Sequence, residues 1–143
     1  MFLGTYQHTL DPKGRVIVPS AFREGLQEGL VMTISQDRCV AVYPMDSWQV
    51  HLASMRQMRT TDARERQFVR MITAEAHPET LDRQGRITVP VRLRGYANLS
   101  KDVTVVGADT RIELWDSATW EPYREQGIAD FAEINEAFNL GIL

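Results

Sequence analysis

The chain has almost no cysteine and almost no lysine. Of its 143 residues one is Cys, at position 39, and only Lys13 and Lys101 are Lys. A single thiol excludes an internal disulfide and points to a reducing compartment. No apolar run approaches the ~20 residues that cross a bilayer, and no basic and apolar leader precedes the first unit. The expectation is a cytosolic protein with no membrane contact. His8, His51 and His77 lack metal-ligand spacing. No Ser-His-Asp or Cys-His set is discernible, and no Gly-rich phosphate loop follows a strand. Paired Asp residues on a small β-barrel could do acid/base work in principle, but the balance is against an enzyme: no catalytic residue, no metal and no cofactor are expected. Cys39 falls in a predicted strand, aligned with Arg111 of the second half, and reads as a packed thiol.

What is present suffices for a real core, at 43% hydrophobic residues without staples. The net charge of −3 is uneven. Residues 1–72 hold nine Arg/Lys against seven Asp/Glu, whereas residues 73–143 hold seven against twelve. From Glu113 onward there are seven acids and one base, Arg124. The acid gathers at the C-terminal end and leaves the repeat cores neutral to basic. Fourteen of the sixteen cations are Arg, the side chain suited to planar two-point contacts with phosphates and guanine edges.

The chain also states one phrase twice. Asp11-Pro12-Lys13-Gly14-Arg15-Val16-Ile17-Val18-Pro19 returns 71 positions later as Asp82-Arg83-Gln84-Gly85-Arg86-Ile87-Thr88-Val89-Pro90, with five of nine residues identical. With one residue inserted, Val31–Ile34 then lies over Val103–Val106, and Val40–Tyr43 over Ile112–Trp115. Asp37 matches Asp109, and Trp48 matches Trp120. Each half reads as turn, strand, short basic helix or turn, strand, turn, strand and a Trp-bearing helix. Two copies of one supersecondary unit, residues 1–72 and 73–143, are expected to fold against each other.

Local chemistry sharpens the elements. Asp suits position i of a type I turn, Pro presets i+1, and Gly14 or Gly85 supplies the positive φ that closes a bulged hairpin. After each Gly the strand alternates: Val16 and Val18, like Ile87 and Val89, face one way. Arg15 and Ile17, like Arg86 and Thr88, face the other, which places each Arg at a partly buried rim beside its turn. Pro19 and Pro90 end the strands. One helix is predicted from Asp46 or Ser47 to about Met58, with Trp48, Leu52 and Met55 as its stripe. A second runs from Asp62 to about Ala74, and a third starts near Ser117 or Thr119, the later cap favoured by Pro122. An amphipathic tail helix is predicted over Ile128–Phe138, with frayed residues 139–143 beyond it. Thr60–Asp62 and His77–Pro78 read as boundaries around the segment joining the halves.

Taken from spacing alone, an internal Asp–Arg pair and a DNA contact are equally good readings of Arg15 and Arg86. Asp11 and Asp82 read as turn braces that accept backbone N–H groups or the nearby Arg. Lys13, at a turn tip, suits a phosphate contact. Arg23, Arg92 and Arg94 either extend a basic face or are solvated surface.

The two phrases, each Leu-Asp-x-x-Gly-Arg-Val/Ile-x-Val-Pro, closely resemble the MraZ family of bacterial transcriptional regulators, as do the opening Met1–Leu10 and the length. A single copy would suggest only the wider AbrB-like swapped-hairpin barrels. The resemblance covers essentially the whole chain. It implies an α+β, mainly β fold: one AbrB-like swapped-hairpin β-barrel formed by two internal repeats, with flanking helices. It further implies rings of identical chains, and a cytoplasmic, nucleoid-associated protein that binds double-stranded DNA. The implied target is G-rich direct repeats in the promoter of the division and cell-wall gene cluster, with repression of that cluster and of the protein's own gene. On this reading Lys13, Arg15, Arg83 and Arg86 contact DNA, while Asp11, Gly14, Asp82 and Gly85 build the turns. Departures at Pro12/Arg83, Lys13/Gln84 and Ser20/Val91 leave the two loops free to contribute unequally. The alternative is a ring-forming scaffold or an antitoxin-like protein-binding module, using the Trp, Met and C-terminal apolar stripes.

Overall fold

The computed structural model describes residues 1–134. In chain order the first elements are β1 (Thr5–Thr9), β2 (Arg15–Ile17), α1 (Ser20–Arg23), β3 (Leu30–Ser35), β4 (Cys39–Pro44), α2 (Met45–Met55) and α3 (Ala63–Ala74). The second half continues with β5 (His77–Glu79), β6 (Arg86–Thr88), α4 (Val91–Tyr96), β7 (Asp102–Gly107), β8 (Ile112–Asp116) and α5 (Ser117–Glu133).

Six strands form one antiparallel sheet in the order β1-β7-β8-β4-β3-β5, which reads the same from either end once the repeats are exchanged. The repeats trade their first strands. β1 pairs with β7 of the second half, and β5 pairs with β3 of the first. The phrase strands β2 and β6 pair with each other as a separate ribbon, centred on Val16 opposite Ile87. Reciprocal bonds extend it: Val18 N–H donates to the Gly85 carbonyl (2.9 Å), and Val89 N–H to the Gly14 carbonyl (2.8 Å). An approximate two-fold axis therefore passes through the ribbon. This is an α+β repeat fold with strand exchange, but its ladder is not closed into a full barrel. Among the described residues, β1 and β2 are joined through Leu10 and Asp11, by the bridge Leu10–Val16 and by Asp11 N–H donating to the Arg15 carbonyl.

Alternation decides which side chains meet. Leu30, Met32, Val40, Val42, Val103, Val105, Ile112 and Leu114 project from the inner face of the large sheet and join one cluster with Val16, Val18, Ile87 and Val89 of the ribbon. Phe22, Leu26 and Leu93 complete it from the helical segments. Each such side chain contributes about 1.5–3 kcal/mol by leaving water. On the outer face α2 and α3 cover Val31, Ala41 and Tyr43, and Thr33 Oγ1 donates to the Ile72 carbonyl. α5 covers Cys39, Val106 and Trp115 through Trp120.

Several sequence expectations are corrected here. His77 and Pro78, read as a boundary of the joining segment, are themselves part of a strand, β5, opposite Met32 and Val31. Pro is tolerated there because β5 is a sheet edge. The ladders make Val105 the counterpart of Met32, where the single-insertion alignment gives Thr104: Met32 lies between His77 and Val42 as Val105 lies between Tyr6 and Leu114. α2 starts at Met45 behind Pro44, without a side-chain cap, and ends at Met55 rather than near Met58. α3 begins as expected, with Asp62 accepting from Arg64 and Glu65 N–H.

The last helix differs most. Asp116 caps α5 by accepting from Thr119 N–H (3.2 Å) and Thr119 Oγ1 (2.8 Å). Pro122 is therefore the sixth helical residue and not part of the first turn. It leaves the Ala118 carbonyl without its i+4 donor, and Ala118 is exposed, so water can serve instead. The tail is no separate helix: α5 runs unbroken to Glu133. Phe138 and residues 139–143 lie outside the described residues.

Candidate nucleic-acid interface

Each phrase begins with a turn whose geometry follows from its residues. Gly14 N–H donates to the Asp11 carbonyl (2.9 Å) and Gly85 N–H to the Asp82 carbonyl (3.0 Å), closing four-residue turns. Gly14 has φ 79° and Gly85 has φ 74°, values that other residues reach only with strain. The carboxylates act at both oxygens. Asp11 Oδ1 accepts from Lys13 and Arg15 N–H, at 2.9 Å each, while Oδ2 accepts from Arg15 Nε (2.6 Å). Asp82 repeats the pattern with Gln84 and Arg86 N–H (2.9 Å each) and Arg86 Nε (2.8 Å). In both, the Arg backbone N–H is the largest of the effects that hold the carboxyl below its ordinary pKa, with the Arg guanidinium assisting.

The pairing leaves donors free. Only Nε of Arg15 and of Arg86 meets its Asp; among the described residues, the Nη groups make no hydrogen bond. The carboxylate therefore fixes each guanidinium by one edge and leaves its far end open. Arg15 stands opposite Thr88 and Arg86 opposite Ile17, so both Arg side chains lie on one diagonal of the ribbon's outer face. Diagonal neighbours on paired strands are roughly 7–8 Å apart. Ile17 (44% exposed) and Thr88 share that face, which nothing covers among the described residues.

Each turn is also completed by the other repeat. The guanidinium of Arg94 lies against Gly14, and that of Arg23 against Gly85. Arg23 Nε donates to the Val18 carbonyl (2.8 Å), whereas Arg94 Nε is buried without a partner. Lys13 and Arg83 are exposed at the turn tips. Each turn thus carries three cations against one carboxylate: Lys13, Arg15 and Arg94 around Asp11, and Arg83, Arg86 and Arg23 around Asp82. A chain of net charge −3 accordingly presents a positive ribbon face. The acid-rich helix α5 packs on the opposite, outer side of the large sheet, against Trp115. Arg92 stands apart, ion-paired with Glu75. The crossed placement of Arg23 and Arg94 has no local signal in the sequence beyond their equal spacing from the two Pro residues.

Other polar groups are occupied in packing. His8 has its pKa lowered by burial and then by Arg23; His51 stacks on Tyr43 (4.9 Å) and is lowered by burial and then by Arg111. Burial, then the charge of Glu113, pushes the Cys39 thiol up to about 12. Among the described residues no three His, Cys, Asp or Glu side chains gather as metal ligands. Among them, too, no helix is long and apolar enough to cross a membrane.

The sequence matches a family of known proteins. The model of the family described as "MraZ protein, putative antitoxin-like" matches residues 1–71 and again 72–139. The chain is 45% identical to the transcriptional regulator MraZ of Kineococcus radiotolerans over 143 residues, covering 100% of both chains. It is 43% identical to the protein of that name from Natranaerobius thermophilus over 95% of each chain, and 47% identical to that of Acetivibrio thermocellus over 86% of each.

Proposed function

The chain belongs to the MraZ family, and from that membership we propose a transcriptional regulator that binds duplex DNA through the outer face of the β2–β6 ribbon. One observation carries the reading: two Asp-oriented Arg side chains with free Nη groups lie side by side on an exposed, positive, two-stranded ribbon. A ribbon of this width enters a major groove about 12 Å wide, where Arg reads guanine O6 and N7 with two parallel donors. Arg15 and Arg86 supply base readout in this scheme. Lys13 and Arg83 at the turn tips, with Arg23 and Arg94 behind them, take phosphates. The two repeats, 1–72 and 73–143, then act as one reading head with a two-fold axis.

The finer reading is a repressor of the division and cell-wall cluster and of its own gene, binding G-rich direct repeats as a ring and residing at the nucleoid. One head buries too little area for selection among genomic competitors, so several heads on one assembly are needed. A gel-shift with DNA from immediately upstream of the protein's own gene tests the proposal. Four phosphate contacts per chain predict a log–log salt slope of about −3.6. A folded protein that fails to shift this DNA at low salt contradicts the reading and leaves the scaffold or protein-binding module in its place.

A further inference from the structure

Arg15, Ile17, Arg86 and Thr88 make up the outward face of the β2–β6 ribbon, and only the two Arg residues obey its two-fold. Ile17 and Thr88 hold the other diagonal, Ile17 opposite Arg86 and Thr88 opposite Arg15. Exchange of the repeats therefore puts an apolar side chain where a hydroxyl stood. Charge does not distinguish the two ends in this way. Each turn tip carries one cation, Lys13 or Arg83, and each has an Arg of the other repeat behind it. On the outward face, the difference between the ends is apolar character.

Folding supplies no reason for an Ile at position 17. Its side chain is 44% exposed and belongs to no hydrophobic cluster among the described residues. Thr88 occupies the equivalent place in β6 and is exposed too, so the same backbone accepts a polar side chain there. Both residues are β-branched, and strand propensity is served equally by either. What Ile17 adds is a branched apolar surface turned to water, beside Arg86 across the ribbon and Arg15 along its own strand. Among the base edges of the major groove one group is apolar, the C5-methyl of thymine. Side chains directly opposite on paired strands start about 4.5–5.5 Å apart, and bases along a strand are about 3.4 Å apart. Ile17 and Arg86 thus fall on neighbouring base steps.

We propose that Ile17 is a specificity-determining residue of the ribbon, contacting the C5-methyl group of a thymine next to the guanine that Arg86 reads. This contact rests on the DNA-binding role proposed above for the ribbon. Thr88, at the mirror position, leaves the step beside Arg15 without an equal apolar contact. The head is then two-fold in its arginines and one-sided in its methyl contact, which gives it a direction on the duplex. A head of full two-fold symmetry selects inverted half-sites. One with a direction can be set head-to-tail along DNA, as direct repeats demand.

Replacing thymine by deoxyuridine removes the methyl group and leaves the hydrogen-bonding edge intact, so it isolates the contact. The probe is DNA from immediately upstream of the protein's own gene, in its natural form and with deoxyuridine throughout, titrated with the full chain by fluorescence anisotropy. The wild type should bind the natural form about 4-fold more tightly per engaged head, the effect of burying one methyl group. Ile17→Ser should bind both forms equally, at the wild type's affinity for the deoxyuridine form. Should that variant fail to fold, Ile17→Thr, which copies the second repeat, should still shrink the preference. Restoring thymines one at a time should recover affinity at a step next to a guanine. A wild type indifferent to the methyl groups, an Ile17→Ser or Ile17→Thr protein that keeps the full preference, or recovery only away from guanine overturns the inference alone. Failure to bind either form at low salt removes the DNA-binding role of the ribbon, and the methyl contact with it.

Discussion

Arg94 of the second repeat lies across Gly14 of the first, so closely that a Cβ on residue 14 would stand 2.8 Å from its Cζ. Arg23 crosses in the other direction, and a Cβ on residue 85 would stand 2.5 Å from its Nε. Neither turn belongs to one repeat alone: each has its backbone from one and a guanidinium wall from the other.

Glycine is therefore required at both turns for two reasons, positive φ and the close approach of Arg. Gly14→Ala and Gly85→Ala should each destabilise the protein by about 1–3 kcal/mol, the scale of a strained left-handed residue. Gly95, inside α4 with open space around it, is the control. Gly95→Ala should stabilise by about 0.5–1 kcal/mol. Thermal melts of the three variants check this, and equal effects at Gly14 and Gly95 would contradict the turn geometry.

Orientation of Arg15 by Asp11 separates a positioning carboxylate from a simple turn brace. Asp11→Asn keeps an oxygen for the Lys13 and Arg15 N–H groups but loses the charged contact to Arg15 Nε. It should leave non-specific DNA affinity unchanged or higher, since one negative charge is gone, while specific affinity falls. Arg15→Ala should cost about 1–3 kcal/mol of specific binding per chain. Titrations on matched and scrambled DNA read both. Equal losses on the two DNAs would make Arg15 a phosphate contact only.

The duplicated phrase makes the centre of the fold legible from the amino-acid order alone. Val16 and Ile87, equivalent by sequence, are paired across the two-fold, and Asp37 and Asp109 both take positive φ. The exchange of β1 and β5 is not legible, because the partner of an edge strand is chosen by the whole sheet. Nothing in Thr5–Thr9 names β7. The crossed contacts of Arg23 and Arg94 depend instead on the pairing of β2 with β6, which sets Val18 beside Gly85 and Val89 beside Gly14, a contact no local pattern announces. Pro122 misleads because its usual penalty assumes a buried carbonyl, whereas Ala118 faces water. At the candidate site, the Asp–Arg pair and the DNA contact are competing readings of one residue in the sequence; the geometry lets one guanidinium serve both.

The two turns should respond to acid late. Hydrogen bonds from Arg15 and Arg86 lower the Asp11 and Asp82 pKa values in the folded chain from the ordinary 3.8. A group so depressed contributes its stability fully above the unfolded value of 3.8 and loses it as pH falls through the folded value. Carboxyl NMR titration should therefore place both midpoints below 3.8, with the Arg15 and Arg86 amide shifts following. Midpoints at or above the ordinary value would mean that the pairs do not persist in solution.

Cys39 should be inert while the protein is folded. With its pKa pushed up to about 12, almost no thiolate exists near neutral pH. Iodoacetamide should label it only in denaturant, and rapid labelling of the native protein would contradict its packing against Trp115.

Paired, Arg-bearing ribbon faces on one assembly should read repeated DNA, and repeat phase tests this most directly. Heads held on one face of an assembly must meet one face of the duplex, so repeats spaced near a full helical turn engage together. Measured by fluorescence anisotropy, affinity should climb steeply as repeats are added in phase. Moving one repeat by about 5 base pairs, half a turn, should remove its contribution. Affinity indifferent to repeat number and phase would contradict this mode of binding.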